Sequence, residues 1–216
     1  MRDLRLKIDL HVHTRYSYDS TTTLDEIVAY SKKRGLDGIA ITDHDVVEGA
    51  LKLAQKVKEL VVIPGVEVTT SRGHVLALNI TRPVPTELSP FETIQIIHEA
   101  GGIAVAAHPT VFYKGLRGNV NSNFDAVEVI NASAFPFFLS TYLSQKLAVR
   151  LNLPQTAGSD AHYASEIGLA YTVVDTEPEV NEIVHAIKKG ATVPCGKPIP
   201  WKLRLKRGYF NIKKKL

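Results

Sequence analysis

Six of the eight histidines stand in settings that repeat along the chain. His11 and His13 close the run KIDLHVH, His44 lies in ITDHD, His108 in VAAHP and His162 in GSDAH, each at or just past the end of an apolar stretch. His74 instead precedes one, in HVLAL. Carboxylates follow the same habit: Asp9, Asp43, Asp45, Glu67 and Asp160. An H-x-H pair at the end of a strand puts two imidazoles on one face, because side chains alternate with period two. Both can then hold one ion. Any one of these fragments has an ordinary reading: a chance pair, a solvated face, a packed histidine. Their coincidence is harder to dismiss, since charge beside apolar runs is costly to bury alone. Mixed imidazole and carboxylate sets suit Zn, Mn or Fe, and a carboxylate can bridge two ions. His98 and His185 fall within helical stretches and read as surface or packing residues.

The elements that must position these residues alternate. Short apolar runs predict strands at Leu6–Leu10, Gly38–Thr42, Val61–Thr69, Val75–Ile80, Ile103–Ala107, Ala126–Ile130, Thr156–Ser159 and Ala170–Val174. Amphipathic spacing predicts helices at Leu24–Arg34, Val47–Glu59, Pro90–Glu99, Phe137–Leu151 and Val180–Lys189. Ser89-Pro90-Phe91-Glu92 carries a helix start, with Ser as N-cap, Pro at the first turn and Glu three residues on. Strand-helix alternation predicts a mainly parallel sheet, and so many strands in one domain predict a closed or nearly closed barrel. In such barrels the strand ends converge on one face, so residues from position 11 to 162 can meet in one cleft.

The ordered series DLHVHTRYSYDS, ITDHD, GVEV with HVLAL, AAHP and GSDAH resembles the motifs of the PHP (polymerase and histidinol phosphatase) superfamily, from about Lys7 to Val174. The resemblance implies an α/β fold, a distorted seven-stranded TIM-like β/α barrel. It implies two or three divalent metal ions at the rim. His11, His13, Glu67 and Asp160 would hold the first, Glu67, His74 and His108 the second, and Asp19, His44 and His162 the third. Asp9, Asp43 and Asn131 would stand behind the ligands or near substrate, a carboxylate fixing a ligand histidine by accepting its N–H.

The activity implied is phosphoester hydrolysis, of a phosphomonoester or a nucleotide or oligonucleotide phosphodiester. A water bridging two ions loses a proton near neutral pH and attacks phosphorus in line. Glu67, Asp160 and His162 would act at that centre. Arg15, Lys114 and Arg117 are candidates to grip phosphate, since guanidinium forks suit it. The alternatives are a non-catalytic PHP-like subunit associated with nucleic acid, and histidinol-phosphate phosphatase. No nucleophile elbow, Walker loop or G-x-G-x-x-G is present, so triad-hydrolase and nucleotide-fold readings lack support.

The net charge of +4 divides unevenly over the 216 residues. Lys197 to Leu216 hold eight Lys and Arg and no acid, leaving 18 bases against 22 acids elsewhere. The basic pI is thus a property of the tail, and the organisation reads as a metallo-barrel over 1–176, a helical extension over 177–199 and a basic tail over 200–216. In WKLRLKR, apolar and basic residues alternate, which predicts a half-buried strand. Three readings of the tail compete: a segment docked on the barrel, contact with nucleic-acid backbone, and attraction to an anionic membrane surface. One cysteine excludes an intrachain disulfide framework and a Cys-rich zinc site. No run is long enough to span a membrane and no secretory h-region is visible, so a soluble, cytoplasmic protein is expected.

Overall fold

The computed structural model describes residues 5–112 and 115–213. Nine strands form one sheet: β1 (Arg5–Val12), β2 (Gly38–Ile41), β3 (Val61–Thr70), β4 (Gly73–Leu78), β5 (Ile103–Ala106), β6 (Ala126–Asn131), β7 (Gln155–Gly158), β8 (Ala170–Asp175) and β9 (Thr192–Gly196). The helices are α1 (Leu24–Arg34), α2 (Glu48–Lys56), α3 (Pro90–Glu99), α4 (Phe137–Leu151), α5 (Val180–Lys188) and α6 (Trp201–Lys213). The sheet runs β7-β6-β5-β4-β3-β2-β1-β8-β9 and curls until its ends approach. The residues after β7 then bond to β1: Asp160 N–H donates to His11 O at 2.8 Å and His13 N–H to Ala161 O at 2.9 Å. The fold is a nearly closed, TIM-like α/β barrel with nine strands in place of the expected seven.

Half of the pairings are antiparallel, where the alternation of elements predicts a mainly parallel sheet. The cause is local. Only Ser71 and Arg72 separate β3 from β4, and a parallel partner needs a crossover of a dozen residues or more. This hairpin explains the odd placement of His74. Because β4 runs backwards, its beginning lies at the rim where its parallel neighbours end.

Two capping boxes fix helix entries, Thr23 with Glu26 on α1 and Ser89 with Glu92 on α3. The barrel interior is apolar at one end, where Ile8, Leu10, Ile63 and Val105 pack against Ile183, Val184 and Ile187 of α5. These side chains of α5 close the floor of the barrel. The segment 177–199 contributes β9 as well as α5, pairing along β8.

Residues 201–213 form a helix, not the strand that alternation predicts. Leu203, Arg204 and Arg207 are half-buried, while Trp201, Lys202, Leu205 and Lys206 are exposed, which is helical spacing. The six-residue alternation is too short to overrule the helix propensity of Lys, Leu and Arg. Among the described residues no helix is long and apolar enough to cross a membrane.

Candidate metal centre

The nine ligand candidates reach the rim from six strands and the loops that follow them. His11 lies in β1 with His13 just beyond it, and Asp19 sits in the loop that follows. His44 follows β2, Glu67 lies in β3, His74 in β4, His108 follows β5, and Asp160 and His162 follow β7. Two irregularities aim the side chains. β1 carries one extra residue between Asp9 and Val12 relative to Ile39–Ile41 of β2. Ile8 and Leu10 belong to the inner apolar cluster, yet after the extra residue His11 meets Glu128 and Glu67. β6 has a second shift between Glu128 and Ile130, after which Asn131 bonds to Glu128 and Asp160. Bulges next to sites re-aim side chains in this way.

Glu67 is the hub. Its Oε2 lies 3.2 Å from the Nε2 of both His11 and His13. Its Oε1 lies 2.7 Å from His74 Nδ1 and 2.9 Å from His108 Nε2. Asp160 Oδ1 stands 3.4 Å from His13 Nε2 and 3.6 Å from His11 Nε2. Asp19 Oδ2 lies 3.0 Å from His162 Nε2 and 3.5 Å from His44 Nε2. Three sets have all their ligand atoms within 4.8 Å of one another: His11, His13, Glu67 and Asp160; His13, Asp19, His44 and His162; and His44, Glu67 and His74. The first set is the expected one. In the others His13 joins Asp19, His44 and His162, and His44 joins Glu67 and His74, while His108 meets them through Glu67 Oε1.

The donor chemistry fits cations. His11 Nδ1 bonds to Glu128 Oε1 at 2.9 Å, which leaves the Nε2 lone pair of a neutral ring facing two carboxylate oxygens. His162 Nδ1 bonds to the Asp160 carbonyl, which leaves Nε2 facing Asp19 in the same way. Acceptors aimed at acceptors call for a positive guest between them. Both ring nitrogens of His44, Nε2 of His13 and Nδ1 of His108 are buried without a hydrogen-bond partner, and an unsatisfied buried polar atom costs about 1–3 kcal/mol.

Protons are the alternative guests. Burial opposes charge on His11 and His13, but the carboxylates outweigh it. The pKa of His11 is held well above its ordinary value by Glu128, Glu67 and Asp160, and that of His13 rises to about 9 beside Asp160 and Glu67. Burial would raise Glu67 and Asp160, yet the surrounding imidazoles hold both well below the carboxylate range. Burial and the charge of His13 bring His162 down to about 4.

Residues behind the ligands sort differently from expectation. Asp9 accepts N–H groups from the backbone of Ser159, Gly168 and His11, and burial raises its pKa to about 6. Asp43 accepts from the amide and hydroxyl of Thr14. Both carboxylates brace loops. The carboxylate that bonds a ligand imidazole is Glu128, which sequence reasoning passed over. Its Oε2 also accepts from His108 N–H and Asn131 Nδ2. Its signal was a lone charge within the apolar run AVEVI. Gly158 makes room for it, since a Cβ there would collide with His11 Cβ and come within 2.9 Å of Glu128 Oε1.

Among the proposed anion grips, Arg15 is exposed in the loop after β1. Arg117 opens a short 3-10 turn on the segment after His108, and Lys114 lies outside the described residues. A cation that sequence reasoning missed is Arg207 of α6. It stands 3.8 Å from Glu166, whose Oε2 accepts the N–H groups of His162 and Tyr163. Arg207 also donates to Ser133 Oγ, and Arg204 donates to the carbonyls of Ala132, Ser133 and Ala134. The helix thus clamps the loops after β6 and β7.

The PHP domain model matches residues 9–124, and the PHP-associated model matches 141–192. The chain belongs to the PHP domain family. Glu128 and Asn131 fall between the two matched segments. The uncharacterized protein MJ1587 of Methanocaldococcus jannaschii is 36% identical over 141 residues, 59% of this chain and 82% of that protein. An error-prone DNA polymerase of Symbiobacterium thermophilum is 35% identical over 79 residues, 35% of this chain and 7% of the polymerase. Among solved structures, a two-domain protein from Bacteroides vulgatus containing a predicted PHP-like metal-dependent phosphoesterase superposes with a TM-score of 0.73 at 19% identity. That match covers 89% of this chain and 65% of that one.

Proposed function

We propose that this PHP protein is a metal-dependent phosphoesterase that hydrolyses a phosphomonoester or a nucleotide phosphodiester. The observation that carries the reading is the convergence of six imidazoles on three carboxylates, Asp19, Glu67 and Asp160, with buried ring nitrogens left unpartnered. His11, His13, Glu67 and Asp160 would hold one ion, and Glu67, His74 and His108 a second. Asp19, His44 and His162 would hold a third. Divalent cations supply charge for the developing phosphorane and lower the pKa of attacking water. The name of the structural neighbour supports the same class, and the retention of nine converged ligands weighs against a binding-only subunit.

The protein residues contribute orientation. Glu128 holds His11 by its Nδ1, and Asn131 steadies Asp160 through Oδ2. The side chain of Asp160 is 14% exposed, against 1% or less for His11, His13 and Glu67, so it faces the open side where substrate enters. It is placed to orient the attacking water by accepting its hydrogen bond. Arg15, Lys114 and Arg117 are the candidates to grip the phosphate.

The test pairs metal analysis with turnover. Purified protein should carry two or three equivalents of Zn, Mn or Fe, and should hydrolyse members of a panel of phosphomonoesters, nucleotides and short oligonucleotides. Metal-replete protein that is inert across the whole panel would sink the reading.

A further inference from the structure

Helix α4 is apolar on both sides. Its buried face sets Leu147 and Ala148 into the core and carries Ser140 and Ser144, whose hydroxyls meet Thr110 at 3.0 and 2.9 Å. Its solvent face carries Phe138, Leu139, Tyr142, Leu143 and Val149, with Phe138 at 79% and Val149 at 71% exposure. An apolar face of this extent marks a contact surface. It continues toward the rim, where exposed Phe135 meets Trp201 of α6 edge to face at 5.7 Å. Cations border it: Lys146 sits 4.5 Å over the Tyr142 ring, Arg204 lies 5.9 Å from the Phe135 ring, and Arg150 is exposed on the last turn. No Asp or Glu occurs between Glu128 and Asp160, or after Glu182.

We infer that this face binds single-stranded nucleic acid. Aromatic platforms flanked by cations suit stacked bases and their phosphates; α4 itself carries no acid, and Asp125 meets the face only at its far end, 3.2 Å from Lys188. Three hollows follow one another along α4. One of about 280 Å³ lies by Phe135, Phe138 and Trp201, one of about 870 Å³ by Tyr142, Lys146 and Arg150, and one of about 680 Å³ by Val149, Lys188 and Lys189. A succession of hollows fits a polymer better than a flat lipid surface. The lack of acids on α4 itself disfavours a second copy, which would set cations of one α4 against cations of the other. The surface is distinct from the metal centre, so the inference does not depend on the reaction proposed above.

The test uses full-length protein in EDTA, where no turnover occurs. A labelled 12-residue oligothymidylate is titrated at several salt concentrations, following its anisotropy and the fluorescence of Trp201, the only tryptophan. Binding should quench Trp201 and weaken with salt. Phe138→Ala with Tyr142→Ala should weaken it about tenfold or more. Lys146→Gln with Arg150→Gln should flatten the log–log salt slope by about 0.7 for each phosphate no longer neutralised. Phe91→Ala, an exposed aromatic on α3, should change nothing. No binding at low salt, or binding indifferent to Phe138 and Tyr142, overturns the inference. A dimer in light scattering that these substitutions dissociate assigns the face to a second copy. Capture by anionic vesicles without capture of the oligonucleotide assigns it to lipid. Either outcome overturns it.

Discussion

The floor and the rim of the barrel interior are lined by the same strands and hold opposite contents. At the floor, Ile8, Leu10, Ile63 and Val105 meet the aliphatic side chains of α5. A few residues higher, β1, β3 and β6 present His11, Glu67 and Glu128. The floor is stable without a guest because apolar burial is favourable in itself. The rim is not, because its charges balance only when cations or protons stand between them. The two differ in dependence on solution conditions more than in packing: one should be indifferent to chelators and pH, the other sensitive to both.

The sharpest break between them is Asp160→Asn. It should lower turnover by about 10³-fold or more, as for a group at the reacting centre, and should lower the melting point in EDTA at neutral pH, because a carboxylate held well below its ordinary range stabilises the fold in its ionised form. Steady-state kinetics and a thermal scan check both halves. At the floor, Ile187→Ala should cost about 2–5 kcal/mol in urea unfolding, while metal content stays at the wild-type level. A parallel loss of metal would show the two ends to be coupled. Glu128→Gln keeps the shape but weakens the hold on His11, and should reduce metal affinity about 10–100-fold in chelator competition. Arg207→Met should reduce kcat about threefold with metal content retained, with partial rescue by Arg207→Lys, if the clamp on the His162 loop acts by position. The smallest effect is on pH. The folded pKa of His13, about 9, lies above its ordinary 6.5, so its stabilising contribution is full below pH 6.5 and is lost as pH rises through 9. The melting point of chelated protein should fall by a few degrees over that window, and that of metal-loaded protein should not.

Much of the rim was legible because its chemistry sits at strand ends, where apolar runs stop and polar residues begin. His44, His108 and Asp160 announce themselves this way. His74 did not fit until the two-residue link Ser71-Arg72 reversed β4. Glu128 escaped because a buried carboxylate in a strand looks like one on a solvated face until its partners are known. The bulges in β1 and β6 depend on register between strands distant in sequence, which no local pattern encodes. β9 was missed because TVPCG contains Pro and Gly, tolerated at a sheet edge such as this one. The tail misled because six alternating residues satisfy a strand pattern as well as a helix.

His108 and Asp160 adopt φ of 28° and 52°, where side chains other than glycine are strained, and each such residue costs about 1–3 kcal/mol. Glycine would be comfortable at both. The backbone therefore sets the ligands against the fold. In a lineage released from selection for its chemistry, glycine at either position would relieve that backbone strain, and the barrel could outlast its own activity.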